Sequence, residues 1–436
     1  MKEFGAASAT IVQYRQQAAS LLLYQGVLED TVGQTFLSLL DALSTSKGAT
    51  NERVHCLTAY SQWFQALANT GKSWGDHLLD RLLIDNNAFT IAVQHQSLKD
   101  LPLPLLAAAR HDMQILQGLY NLPPNDISQR VQTACQLSQP PIIWSISPTP
   151  ISLDLPLDWS ENLEALVNYY KRQGSGQFGQ FYGFRWQQGE LHGITAPDPI
   201  RLEDLAGYDG PKSTLIKNTE FLLAGFNSLN VLLYGSRGSG KSSLVKALLN
   251  EYGPRGLRLI EVTKAELYDL PKILEYLRTQ PQKFIIFVDD LSFEEDDDAF
   301  KSLKVVLEGG LTRSPQNVVV YATSNRRHLV REFFADRPRP SDADELKSWD
   351  TVQEKLSFSD RFGLTLTFEA ADQPTYITIV HHLAQQAGVD LPVEELDFRA
   401  KQWATRHNGR SGRSARHFID FLVADLTLEK KRKELK

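Results

Sequence analysis

The chain has 436 residues, room for two or three domains that each bury a core, which excludes a peptide or a disulfide-stapled scaffold. Hydrophobic residues at 42% and charged residues at 22% are ordinary globular usage and exclude a chain too polar to fold. Lys and Arg (46) against Asp and Glu (52) leave a formal charge of -6, so no global field draws the chain to nucleic acid or to an acidic membrane face, and any such binding is expected to be local.

Residues 1–138 read as a helical N-terminal domain, because apolar residues such as those of Ile11–Leu23 and Phe36–Leu40 recur near a period of 3.6. Tyr60, Trp63 and Phe64 share that spacing and read as core rather than as a stacking surface. The opening Met1–Gly5 leads into a mixed polar segment instead of an apolar leader, and no run approaches the roughly 18 apolar residues of a membrane span, so a cytoplasmic protein is expected. Cys56 and Cys135 stand 79 positions apart without CxxC spacing; cysteine chemistry is not expected to be central, and a reducing compartment fits.

Residues 139–199 read as a linker. Pro140, Pro141, Pro148, Pro150 and Pro156 forbid a continuous helix. A short helix is expected over Asn162–Lys171, a glycine-rich hinge over Gly174–Gly179, and a small hairpin from Tyr182–Trp186 and Leu191–Ile194. From Ile200 the texture changes to apolar runs alternating with amphipathic helices. Asn230–Tyr234, Leu257–Val262, Phe284–Val288 and Val318–Ala322 are four strand candidates, and the alternation implies a parallel sheet covered by helices on both faces over residues 200–367. Residues 368–436 end in a solvated basic tail, Lys430–Lys433.

The most specific signal is Gly235-Ser236-Arg237-Gly238-Ser239-Gly240-Lys241-Ser242, a full GxxxxGK[ST] match between a strand and a helix continuing through Ser243. Glycines let backbone N–H groups wrap phosphates, and the following helix aims its positive end at them. Lys241 reaches the terminal phosphates, and the Ser242 hydroxyl ligates Mg²⁺. A nucleotide and Mg²⁺ are therefore the expected ligands, and the later elements must decide between kinase, GTPase, switch and motor. The strand Phe284–Val288 runs into Asp289 and Asp290, 48 and 49 positions after Lys241. Asp289 suits the Mg²⁺ shell, while Asp290 stands where a water-polarising carboxylate is usually Glu. Being one methylene shorter, it points to slow hydrolysis, with Glu294 or Glu295 as substitutes; Asp296–Asp298 read as a solvated turn. A third strand ends in Thr323-Ser324-Asn325, which makes Asn325 the candidate for orienting water and sensing the γ-phosphate.

In this order the motifs resemble an AAA+ ATPase from Ile200 to about Leu426, and in particular the bacterial AAA+ group catalogued as domain of unknown function 815. The fold implied is an α/β P-loop NTPase with a parallel sheet and a small C-terminal helical lid, preceded by a mostly α-helical N-terminal domain. Leu202–Tyr208 resembles the segment that packs on adenine, Ser359–Leu364 the arginine-finger box, and Ser411–Arg416 the second sensor. By that resemblance Arg361 reaches the γ-phosphate of an adjacent subunit and makes the protein a homo-oligomer, while Arg413 contacts the γ-phosphate from the lid of its own chain, with Arg416 as fallback. A loop carrying Pro338, Pro340, Asp342, Asp344 and Glu345 between His328 and Ser359 reads as an insertion, either partner-binding or merely tolerated.

The function implied is an ATP-hydrolysing protein that couples nucleotide state to oligomerisation and to remodelling of a protein or nucleoprotein client. The alternative is a slow-turnover, ATP-gated adaptor or loader that assembles on a partner. A small-molecule kinase leaves Asn325, Arg361 and Arg413 unexplained. No membrane partner is expected; nucleic acid stays open through the local group Arg326, Arg327, His328 and Arg331.

Overall fold

A computed structural model describes residues 2–45, 49–147, 158–292, 302–304, 306–307, 315–325, 361–407 and 409–434. The chain divides into two compact units, Met1–Gln180 and Phe181–Lys436. Among the described residues no helix is long and apolar enough to cross a membrane.

The described residues of the first unit are organised by helices, the long ones spanning Lys2–Ala19, Thr31–Thr45, Thr50–Thr70, Trp74–Ile84, Leu103–Tyr120 and Pro124–Cys135. Their apolar faces meet in one core, where the Phe36 ring lies 4.2 Å from Trp74 and 5.6 Å from Trp63. Tyr60 and Trp63 are buried there, in keeping with their helical spacing, and Phe64 is half-buried. The turn after the first helix is fixed by Asp112, whose fully buried carboxylate accepts the backbone N–H groups of Leu22, Leu23 and Tyr24. A buried carboxylate is tolerable only with such partners.

Much of the stretch 139–199 is built into this unit. The Tyr60 hydroxyl donates to the Ile142 carbonyl, and the Trp144 indole N–H donates to that of Lys72. A helix over Leu163–Gln173 buries Leu163, Leu166, Val167 and Tyr170 in the same core. The glycine-rich stretch forms a short helix, Gly176–Gln180, immediately before the border between the units.

The second unit is organised by a seven-stranded sheet: β1 (Gly183–Gln187), β2 (Glu190–Gly193), β3 (Val231–Gly235), β4 (Leu257–Glu261), β5 (Lys283–Val288), β6 (Val318–Ser324) and β7 (Leu364–Phe368), in the order β2-β1-β4-β5-β6-β3-β7. Every pairing is parallel except the β1–β2 hairpin. The four apolar runs in the sequence are the four central strands β3–β6. Covered on both faces, they need apolar side chains at nearly every position, and all seven residues of β6 are buried. The hairpin does not stand alone: β1 lies parallel to β4, with Phe184 opposite Ile260, and extends the sheet at that edge. At the other edge β7 alternates exposed and buried residues, as an edge strand does. Helices over Asp209–Leu223, Lys241–Tyr252 and Leu270–Arg278 connect the strands.

Three helices follow, Gln373–Gln386, Val393–Arg406 and Gly412–Glu434. They pack around Tyr376, Val380, Ala400 and Ala415 as a small core of their own.

Candidate functional site

Because β6 lies between β3 and β5, the carboxyl ends of three neighbouring strands place Gly235, Asn325 and Asp289 side by side. Ligands of open parallel sheets bind at such ends. The loop leaving β3 makes an unusually tight turn. Gly235 has φ 135°, and a Cβ there would stand 1.9 Å from the Phe368 carbonyl oxygen, which accepts the N–H of Ser236 at 2.8 Å. Only glycine fits. Gly240, at φ 90°, starts the helix Lys241–Tyr252, whose first turn carries no acidic residue.

Lys241 is 6% exposed, and its ammonium donates to the carbonyls of Gly235 (3.0 Å) and Ser236 (2.8 Å). Burial pushes its pKa down, while Asp289 and Asp290 pull it back up. An ammonium held by carbonyl dipoles inside a glycine loop is placed to exchange them for phosphate oxygens, which bind it more strongly.

The two carboxylates sit just past β5. The hydroxyls of Ser242 and Thr323 donate to one oxygen of Asp289, at 2.6 and 2.5 Å. Asp290 adopts φ 51°, a left-handed conformation that costs energy for any residue but glycine. Its N–H donates to the Thr323 hydroxyl at 2.9 Å, and its side chain accepts the Asn325 amide at 2.6 Å. The amide oxygen of Asn325 is in turn 3.5 Å from the Lys241 ammonium.

These groups open into a cleft of about 610 Å³ lined by residues 237–243, Asp289, Asp290, Thr323 and Asn325. One wall is apolar, formed by Ile200, Leu205 and Ala206 together with Ile379 and Leu383 of the first C-terminal helix. Lys212 fixes that segment by donating to the carbonyls of Leu202 and Leu205. Another wall carries Arg413 and Arg416, with His417 beside them, at the start of the third helix. The Arg413 N–H donates to the Gly238 carbonyl at 3.2 Å, and Gln386 donates to Asp204 at 2.9 Å, so the C-terminal helices are tied directly to the glycine loop and the apolar wall.

The structure thus brings together Arg237 to Ser243, Asp289, Asp290, Asn325 and Arg413 in one cleft, with Gly235 and Ser236 accepting from Lys241 behind it. Arg361, three residues before β7 and half-buried, does not line the cleft. Glu294, Glu295, Asp296–Asp298, Arg326, Arg327, His328, Arg331, the insertion up to Ser359, and Asp360 lie outside the described residues. Two residues escape the motif reading. Thr323 joins both aspartates to β6; its only signal in the sequence is a pair of hydroxyl residues, Thr323 and Ser324, interrupting a buried apolar strand. His417 follows Arg416 on the cleft face, and nothing local distinguishes it.

Among the described residues no group of three or more His, Cys, Asp or Glu side chains is placed to hold a metal ion. The oxygens of Ser242 and Asp289 instead fit a magnesium ion that keeps most of its waters and takes its remaining ligands from substrate phosphates.

A family model described as "Protein of unknown function (DUF815)" matches residues 179–426, more than half of the chain. Comparison with curated proteins gives no match. Among solved structures, the Thermotoga maritima RuvB Holliday junction branch migration motor is similar at 13% identity, covering 51% of this chain and 72% of that chain, with a TM-score of 0.32. A point mutant of Thermotoga maritima RuvB matches at 14% identity with the same coverage and TM-score.

Proposed function

The chain belongs to the DUF815 family, and from that premise we propose that it binds ATP with Mg²⁺ in the cleft, hydrolyses it, and uses the nucleotide state to control assembly and the remodelling of a client. The fold is that of an AAA+ P-loop NTPase, a mostly parallel sheet with a C-terminal helical lid and a helical N-terminal part. The observation that carries the proposal is the meeting of Lys241, Ser242, Asp289, Asp290 and Asn325 at the ends of three adjacent strands.

In this reading the backbone N–H groups of Gly238 to Ser243 and the Lys241 ammonium hold the phosphates. The base lies against Ile200, Leu205, Ala206, Ile379 and Leu383, so the lid closes on the nucleotide it helps to bind. Ser242 and Asp289 would hold Mg²⁺, which when bound would neutralise charge on the phosphate oxygens. Asp290 polarises the attacking water and Asn325 orients it. Arg413 reaches the γ-phosphate from the lid, with Arg416 one helical turn further along the same wall. Arg361, away from its own cleft, serves the cleft of a neighbouring subunit in a homo-oligomer.

The client is proposed to be a cytoplasmic protein or nucleoprotein selected by the helical unit. One feature favours the slower, adaptor-like variant of this function. Asp290 is short, is held in a left-handed conformation, and already accepts from Asn325 on one of its two carboxylate oxygens, which leaves the other for a water. Turnover is then expected below the common range of about 1 to 10³ s⁻¹ until a partner stimulates it.

The purified chain is expected to release phosphate from ATP only with Mg²⁺, and to stop when the metal is chelated with EDTA. Colorimetric phosphate release measures it. Absence of hydrolysis and of ATP binding would overturn the proposal; fast turnover without any partner would overturn the adaptor variant alone.

A further inference from the structure

The proposed site makes no use of the chain's only two cysteines. In sequence they are unrelated, yet the fold sets them together. Cys56 lies in the helix Thr50–Thr70, and Cys135 is the last residue of the helix Pro124–Cys135. Both belong to the core of the N-terminal unit, at 0% and 5% exposure. The Cys135 thiol donates to the Arg53 carbonyl at 3.6 Å, one turn before Cys56 on the same helix, which sets the two buried cysteines beside each other where the helices pack. A disulfide requires Cα atoms within about 7 Å, a separation that facing positions on two packed helices can meet.

We propose that Cys56 and Cys135 form a modification site: a dithiol pair that closes to a reversible intramolecular disulfide when it meets a low-molecular-weight disulfide. Cys135, the less deeply buried of the two, attacks the oxidant's S–S bond as the thiolate. One reduced thiol leaves, and a mixed disulfide remains on Cys135. Cys56 then gives up its proton and attacks the Cys135 sulfur, and the second small thiol leaves. The protein loses two protons and two electrons, and the oxidant takes them up to become two thiols. Burial first, and then the contact with Cys135, push the Cys56 thiol up to about 12; burial also raises that of Cys135, against the opposing contributions of the Cys56 hydrogen bond and Arg53. Both cysteines are therefore protonated at neutral pH, and the first step is slow. The second is intramolecular between neighbouring groups, so the mixed disulfide does not accumulate. The closed bridge would pin the end of one helix to the body of the other.

The test is to incubate the full-length folded chain with excess oxidised glutathione at neutral pH and to read intact mass and peptide map. The expected product is two hydrogens lighter, carries a Cys56–Cys135 linked peptide and no glutathione, and reverts with dithiothreitol. Cys56→Ser is expected to keep a glutathione adduct on Cys135. The same oxidant applied to the chain in denaturant shows that both thiols can react. Persistence of the dithiol in the folded chain, stable glutathione adducts on the wild type, or a disulfide between two chains would each overturn the proposal. The wild-type result decides even where the serine variant fails to fold.

Discussion

Arg361→Ala is expected to lower ATP turnover by about 10³- to 10⁵-fold, the range over which arginine fingers act, while leaving ATP affinity close to that of the wild type. The two expectations separate because Arg361 does not line its own cleft; a residue that acts only on the neighbour's γ-phosphate stabilises the transition state without holding the ground-state nucleotide. Arg361 is half-buried and engaged in the folded chain, so the melting temperature of the variant belongs in the same experiment. Arg361→Lys is a second control. It keeps the charge but lacks the planar fork that matches phosphate oxygens, and it is expected to recover only a small part of the rate. Turnover unchanged in a well-folded Arg361→Ala chain would remove the finger from the mechanism.

Lys241→Ala carries the second large effect, and here binding and turnover fall together. The ammonium is the buried cation at the mouth of the glycine loop and already sits within reach of Gly235, Ser236 and Asn325. Its loss removes charge-assisted bonds to the phosphates in a partly desolvated site, where such bonds are strongest. Turnover is expected to drop by at least about 10²- to 10³-fold, with a matching rise in the Kd for ATP. Fluorescent nucleotide titration and phosphate release measure the two effects. Because the substitution also leaves two loop carbonyls without their donor, the melting temperature of the variant is measured alongside, to check that the loss is not one of folding.

How much of this was legible beforehand follows from where each feature gets its energy. The glycine loop, its lysine and the paired aspartates are short-range features. Their spacing is imposed by phosphate geometry and by a strand that must be apolar on both faces, so Gly235 to Ser243 and Phe284 to Asp290 read directly. The four central strands read for the same reason. β7 did not, because its alternating Leu364–Phe368 pattern is that of an edge strand and its neighbour β3 is more than a hundred residues earlier. The hairpin was recognisable, but its pairing with β4 was not, since nothing in Gly183–Gln187 names Leu259 and Ile260 as partners. The same limit concealed the proximity of Cys56 and Cys135. Thr323 shows a subtler failure: a hydroxyl inside a buried strand has to find an acceptor, and only the sheet order reveals that the acceptor is Asp289.

The proposed mechanism requires a shared active site, in which one subunit supplies the loop and carboxylates and the next supplies Arg361. Mixing the two variants, each nearly inactive alone, is the decisive experiment. Arg361→Ala retains an intact cleft, and Lys241→Ala retains an intact finger, so random co-assembly gives about a quarter of interfaces with both. Phosphate release from the equal mixture should rise well above the sum of the separate rates and climb with total protein concentration. A mixture that never exceeds that sum, with both variants folded and assembling, would contradict the shared site.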